Sequence, residues 1–180
     1  AIGVDKAKDS DKICVTIISK EVSSGQTQKS GGGGTEKCIA ITNEARTVFE
    51  AERQFQTHSD KKMFFGHVGF YLIGEEAARE DVIKYIDFLV RDHEMRFNSS
   101  VYIIKGSTAK EFVEKTSTGE YFMPDRIKAI GENSKLITGP KELLMSEFAQ
   151  GLINNHSCVV APVLQLKPKD KEHEEGNAPP

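Results

Sequence analysis

The chain reads as an α+β protein: a mixed β-sheet with an N-terminal hairpin and helices packed on it. Three observations predict this. Two β-branched runs near the start, 2–5 and 13–19, are joined by a short polar stretch, which is a hairpin signal. From residue 63 onward strand-like and helix-like periodicities alternate, as in strand–helix–strand units. The 180 residues, 38% hydrophobic and 28% charged, suffice for one core without disulfides or metals.

The elements follow in order. Residues 2–5 open a strand, and 6–12 form a charged turn. Val15, Thr16, Ile17 and Ile18 give the second strand its β-branched character. Residues 23–35, with Gly31–Gly34 at their centre, are too polar to offset the entropy of ordering and read as a flexible loop. No Gly-Lys-Ser/Thr follows and no Gly-x-Gly-x-x-Gly opens a helix, so a phosphate cradle is set aside. Residues 37–42 alternate and predict a third strand. Thr47-Val48-Phe49-Glu50 matches a capping box, with Val48, Ala51 and Phe55 on one helical face and an end near His58.

Residues 63–73 predict a central strand buried on both faces. Gly74 turns the chain into a helix over 75–92, where Val82, Ile83, Ile86, Leu89 and Val90 share an apolar face. Acid-to-base pairs at i,i+4 line it: Glu75–Arg79, Glu80–Lys84, Asp87–Arg91 and Asp92–Arg96. Each contributes about 0.2–0.5 kcal/mol. Asn98 turns the chain into a strand over 100–105. Thr108-Ala109-Lys110-Glu111 is a second capping box, with Ala109, Phe112 and Val113 inside. Pro124 and Pro140 suit first helical positions, ahead of helices near 125–130 and 141–153. In the latter, Leu144, Phe148 and Leu152 recur at helical spacing. The last strand is 157–166. The expected division is a domain over 1–166 and a charged, aromatic-free tail over 167–180, solvated or disordered.

Lys and Arg number 24 against 27 Asp and Glu, a net charge of −3. That argues against a dedicated nucleic-acid binder and offers no polybasic membrane patch. The longest clean apolar stretch, 158–164, is seven residues and contains Pro162, well short of the roughly 20 that a membrane span needs. No signal-peptide pattern opens the chain, and its start at Ala1-Ile2-Gly3-Val4 is expected of a trimmed or processed polypeptide. Cys14, Cys38 and Cys158 lie among apolar neighbours and read as small buried hydrophobes, with one disulfide plus a spare thiol left open.

A search for chemistry yields no catalytic set, cofactor loop or metal site. His58, His67, His93, His156 and His173 never pair at metal spacing, and no Gly-x-Ser-x-Gly elbow occurs. His67 with Glu75 and Glu76 comes nearest to an acid–base or metal cluster. It reads instead as a strand-start histidine and two acids favoured by a helix N-terminus.

An ordered set of motifs carries a resemblance. It contains Gly66-His67-Val68, Ile73-Gly74-Glu75-Glu76-Ala77-Ala78-Arg79-Glu80, the run from Asp87 to Arg96, and Val101-Tyr102-Ile103-Ile104-Lys105-Gly106. Ala1-Ile2-Gly3-Val4-Asp5-Lys6, Thr47-Val48-Phe49-Glu50-Ala51 and Ala161-Pro162-Val163 agree in order. Together they resemble the N-terminal domain of the Ger(x)C family, the C-subunit lipoproteins of bacterial spore germinant receptors, over roughly 1–165. The resemblance implies a non-enzymatic subunit, lipid-anchored on the outer face of the spore inner membrane. It also implies membrane-embedded A and B subunits as partners and a part in nutrient-triggered germination. The lipidated cysteine and the family's larger C-terminal part are not within these residues, and the domain itself is expected to be soluble.

The candidate motif or partner-binding residues are His67, Glu75, Arg79, Asp87, Arg91, Asp92 and Arg96. For Asp87, Arg91, Asp92 and Arg96 the first reading is intrahelical pairing and a sharp turn; contact with a partner subunit is the second. An alternative function is direct germinant binding, supported only by Phe64, Phe65, Phe70, Tyr71, Tyr121 and Phe122, which read first as core. A spore cortex enzyme is a third reading without positive support.

Overall fold

The computed structural model describes residues 1–8, 11–21, 37–57, 66, 68–92, 95–116, 127, 129, 142–154 and 158–166. Among them six strands form one sheet: β1 (Ile2–Lys6), β2 (Ile13–Glu21), β3 (Lys37–Ala45), β4 (Phe70–Gly74), β5 (Ser100–Lys105) and β6 (Val163–Gln165). Their spatial order is β3-β2-β1-β4-β5-β6. β1, β2 and β3 pair antiparallel, while β1, β4, β5 and β6 run parallel. The helices are α1 (Val48–Thr57), α2 (Glu75–Arg91), α3 (Ala109–Thr116) and α4 (Met145–Ile153). The α+β expectation and the N-terminal hairpin both hold.

Strand alternation divides the core into two layers. Ile2, Val4, Val15, Ile17, Tyr71 and Ile73 share a cluster with side chains of α1, α2 and α4. Ile18, Leu72, Tyr102 and Ile104 join Ala109, Phe112 and Val113 of α3 in a second cluster. Each fully buried large apolar side chain contributes roughly 1.5–3 kcal/mol. Gly3 lets α3 approach the sheet closely, since a Cβ there would lie 3.1 Å from Ala109 Cβ.

The capping motifs are present with altered partners. Thr47 Oγ1 accepts the Glu50 N–H at 3.1 Å, but Glu50 reaches back to the Arg46 amide at 2.9 Å. Thr108 Oγ1 accepts the Glu111 N–H at 3.1 Å, and Asp5 of β1 takes the two amides before it.

Other expectations need correction. α2 is kinked at Asp81, whose φ of −159° and ψ of 91° are not helical. Its carboxylate accepts the Ile83 N–H at 3.1 Å and caps the second half of the helix. The two halves therefore do not share one phase: Tyr85 is fully buried and Ile83 is 51% exposed. α2 ends at Arg91, so Asp92 and Arg96 are not an intrahelical pair. β3 runs three residues past its expected end, because Asn43, Glu44 and Ala45 pair with Val15, Cys14 and Ile13. Of the strand expected over 63–73, the described pairing is β4 from Phe70 onward, Gly66 lies in a 3-10 turn, and 63–65 and 67 lie outside the described residues. The last strand narrows to Val163–Gln165. Ahead of it Val159 packs on Gly151 of α4, leaving no room for a Cβ there.

Cys14 is buried, as expected, but Cys158 is exposed on this crossing segment; both are free thiols. The side chain of Cys38 lies outside the described residues, as do 23–35, 167–180 and most of the helix expected near 125–130.

Candidate functional site

The parallel strands β1, β4 and β5 end side by side, and α2 and α3 start there. This is the edge where open α/β sheets hold ligands, because chain turns and helix N-termini converge on it. A cleft of about 560 Å³ opens at this edge, lined by Lys6, Glu76, Arg79, Ser107 and Glu111 among others.

Asp5 organises the floor. It is only 2% exposed. Its Oδ1 accepts the Ala109 N–H at 2.6 Å and its Oδ2 the Lys110 N–H at 2.9 Å. These are the first two amides of α3, which have no acceptor within the helix. Burial pushes the Asp5 carboxyl above its ordinary value of 3.8, against the pull of the two amides. Gly74 is required beside it. A Cβ on that residue would fall well inside 3.0 Å of Asp5 Oδ1. The backbone there, φ −62° and ψ 147°, is ordinary, so the demand is for space.

Glu75 supplies the second connection. Its Oε1 accepts from Arg79 Nη2 at 2.8 Å, and its Oε2 accepts the Gly106 N–H at 3.0 Å. Arg79 first, and then the Gly106 amide, hold the Glu75 carboxyl below its ordinary value of 4.5. Gly106 has φ +73°, a left-handed conformation that favours glycine. Beneath α2, Tyr85 Oη donates to Glu80 Oε2 at 2.8 Å, and Lys6 Nζ lies 3.6 Å from the same oxygen.

The site residues expected from sequence do not form one centre. Glu75 and Arg79 sit at the cleft. Asp87 and Arg91 lie some three turns away, about 18 Å along α2, bonded to each other at 2.7 Å. Asp92 is the C-cap, and Arg96 lies in the exposed connection to β5, where Asn98 makes the expected turn. His67 lies outside the described residues. Sequence reasoning did not single out Asp5 and Gly74 as a pair. The signal was there: a carboxylate inside an apolar strand, and a glycine ending another.

Chemically, the carboxyls of Asp5 and Glu75 are committed to backbone amides and to Arg79. Among the described residues no three His, Cys, Asp or Glu side chains converge as a metal site. Of the candidate ligand-site aromatics, Tyr71 is buried core and Phe70 packs on Tyr102 at 6.0 Å; the other four lie outside the described residues. A smaller apolar pocket of about 390 Å³ lies between α2, β5 and α4, with Val82, Ile103 and Phe148 in its wall.

Residues 1–166 match the family described as the spore germination protein N-terminal domain. The chain belongs to that family. It is 25% identical over 162 residues to the putative spore germination protein YfkR of Bacillus subtilis (strain 168), covering 89% of this chain and 41% of that protein. Spore germination protein KC of the same organism is 27% identical over 120 residues, covering 66% and 29%. Spore germination protein B3, also from that organism, is 24% identical over 152 residues, covering 81% and 40%. The chain thus spans less than half the length of these relatives. No solved structure matches it. Within this spore germination domain, the motifs that carried the resemblance now have physical roles. Asp5 caps α3, Gly74 makes room for it, and Glu75 grips the Gly106 turn. No described helix is long and apolar enough to cross a membrane.

Proposed function

We propose that this domain is a non-catalytic part of a spore germinant receptor, acting through contacts with membrane-embedded A and B subunits in nutrient-triggered germination. The family match across residues 1–166 carries the reading. The longer protein is held by an N-terminal lipid on the outer face of the spore inner membrane. The outer side of α2 suits a docking role: Ile83 is half-exposed, and the Asp87–Arg91 pair is solvent-facing. An ion pair of this kind contributes little to folding, so its charges are free to serve a partner. The test is co-purification of the A and B subunits with the lipid-anchored full-length protein. Replacing Arg91 or Asp92 should impair germination while the domain stays folded. Full germination of both variants, with no co-purification, would sink the proposal.

A second reading, direct binding of germinant, is favoured by one observation: the cleft of about 560 Å³ at the carboxyl ends of the parallel strands. Calorimetry with amino acids and bile salts decides it, and silence across the panel removes it.

A further inference from the structure

We propose that the apolar pocket between α2, β5 and α4, with the exposed side chains around it, is the seat of the part of the longer protein that follows this domain. The pocket holds about 390 Å³. That is more than twice the ~150 Å³ of a core cavity that takes up benzene. Among the described residues its wall carries no charge, and Asn154 is its one polar side chain. Three exposed apolar side chains continue it outward. Ile153, 75% exposed, follows Leu152 of the wall. Val160, 86% exposed, lies between Val159 and Ala161 of the wall. Val163, half-exposed, is in register with Ile103 of the wall. A contiguous apolar surface of this kind marks a contact site. The sheet edge beside it offers main-chain groups as well. Pro162 O accepts the Ile103 N–H at 3.0 Å, so strand alternation turns the N–H and C=O of Val163 and Gln165 to the flank of β6 that no described strand covers.

The occupant is a segment of the same polypeptide. The family match, described as an N-terminal domain, ends at residue 166, just past Gln165 of β6, so the path out of the domain starts at this edge. More than half of each curated relative lies outside the matching region. Residues 167–180 contain no Ile, Leu, Val, Met, Phe or Tyr, so the side chains that fill the pocket come from beyond them. A segment joined to the same chain meets this surface at an effective concentration on the order of millimolar, which a free partner rarely reaches. The chemistry of the surface agrees. Permanent contacts are the more apolar ones, and exchangeable partners meet more polar surfaces. The seat is therefore separate from the charged outer side of α2 and does not depend on the A and B subunits.

The test uses the full-length protein and Cys158, which is exposed in the domain and lies close to Val160 in the chain. Alkylation of Cys158 is followed by mass spectrometry in wild type, Val160→Lys and Ile153→Lys. Both substitutions fall on exposed side chains and leave the core of the domain intact, which circular dichroism checks. At a millimolar effective concentration, a contact with a dissociation constant of about 0.1 mM is occupied roughly ten to one. Cys158 should then react about tenfold more slowly in wild type than in either variant. Equal rates in wild type and both variants would overturn the proposal. So would protection that grows with protein concentration, the mark of a second copy, or protection that needs the A and B subunits.

Discussion

Replacing Gly74 with alanine tests the junction that joins β1, β4 and α3. The new Cβ would lie well inside 3.0 Å of Asp5 Oδ1, and Val4 O, 3.6 Å away, bars an easy backbone shift. The carboxylate must move, and with it go its bonds to the Ala109 and Lys110 amides. A hydrogen bond to a charged acceptor contributes about 1.5–3 kcal/mol. Gly→Ala at a conformation that alanine accepts returns about 0.4–1 kcal/mol through the unfolded chain. The expected net loss is about 3 kcal/mol, read as a lower urea midpoint at unchanged m-value by far-UV circular dichroism. The same substitution in an Asp5→Ala background should be neutral or slightly stabilising, because nothing remains to be displaced. The coupling between the two sites is then about 3 kcal/mol. A Gly74→Ala cost below about 1 kcal/mol, or the same cost in both backgrounds, would refute the reasoning.

Three further outcomes are expected. Tyr85→Phe removes the hydroxyl that donates to Glu80 and should lower stability by about 1 kcal/mol in the same denaturation assay. Leu89→Ala, at a side chain 1% exposed between sheet and α2, should cost about 2–5 kcal/mol; a near-neutral result would place α2 elsewhere. Burial pushes the Cys14 thiol up to about 11, so at pH 8 a thiol reagent should label exposed Cys158 and spare Cys14. The associated stability is full below the ordinary thiol value of 9.0 and is lost as pH rises toward about 11, a loss that Cys14→Ser should flatten.

What the sequence revealed follows the range of the forces involved. β1, β2, β5, α1 and α3 are written in local periodicity and local caps, and each appears close to its expected bounds. The apolar face expected on α2 is met by Ile86 and Leu89, which are buried, and by Val82 and Val90, which pack on the core, but not by Ile83. One carboxylate, Asp81, breaks the helix from within and caps its second half, where Ile83 turns outward and Tyr85 takes the core. The extension of β3 through Asn43 and Glu44 is a tertiary effect, since the β2 ladder outweighs their weak strand preference. At the cleft, Glu75 and Arg79 were legible as a helical pair. The Asp5–Gly74 relation was not, since it joins strands made adjacent only by the parallel pairing of β1 and β4.

β1 occupies the interior of the sheet, bonded along both flanks: five residues in register with β2 and three with β4. Ala1 extends this grip, exchanging two backbone bonds with Ile18 at 2.9 and 3.0 Å. A pull along the axis of β1 would meet both ladders. The rungs on both sides would then bear the load together, in shear, where an edge strand would peel away one rung at a time. A load along β1 is thus shared by two ladders at once.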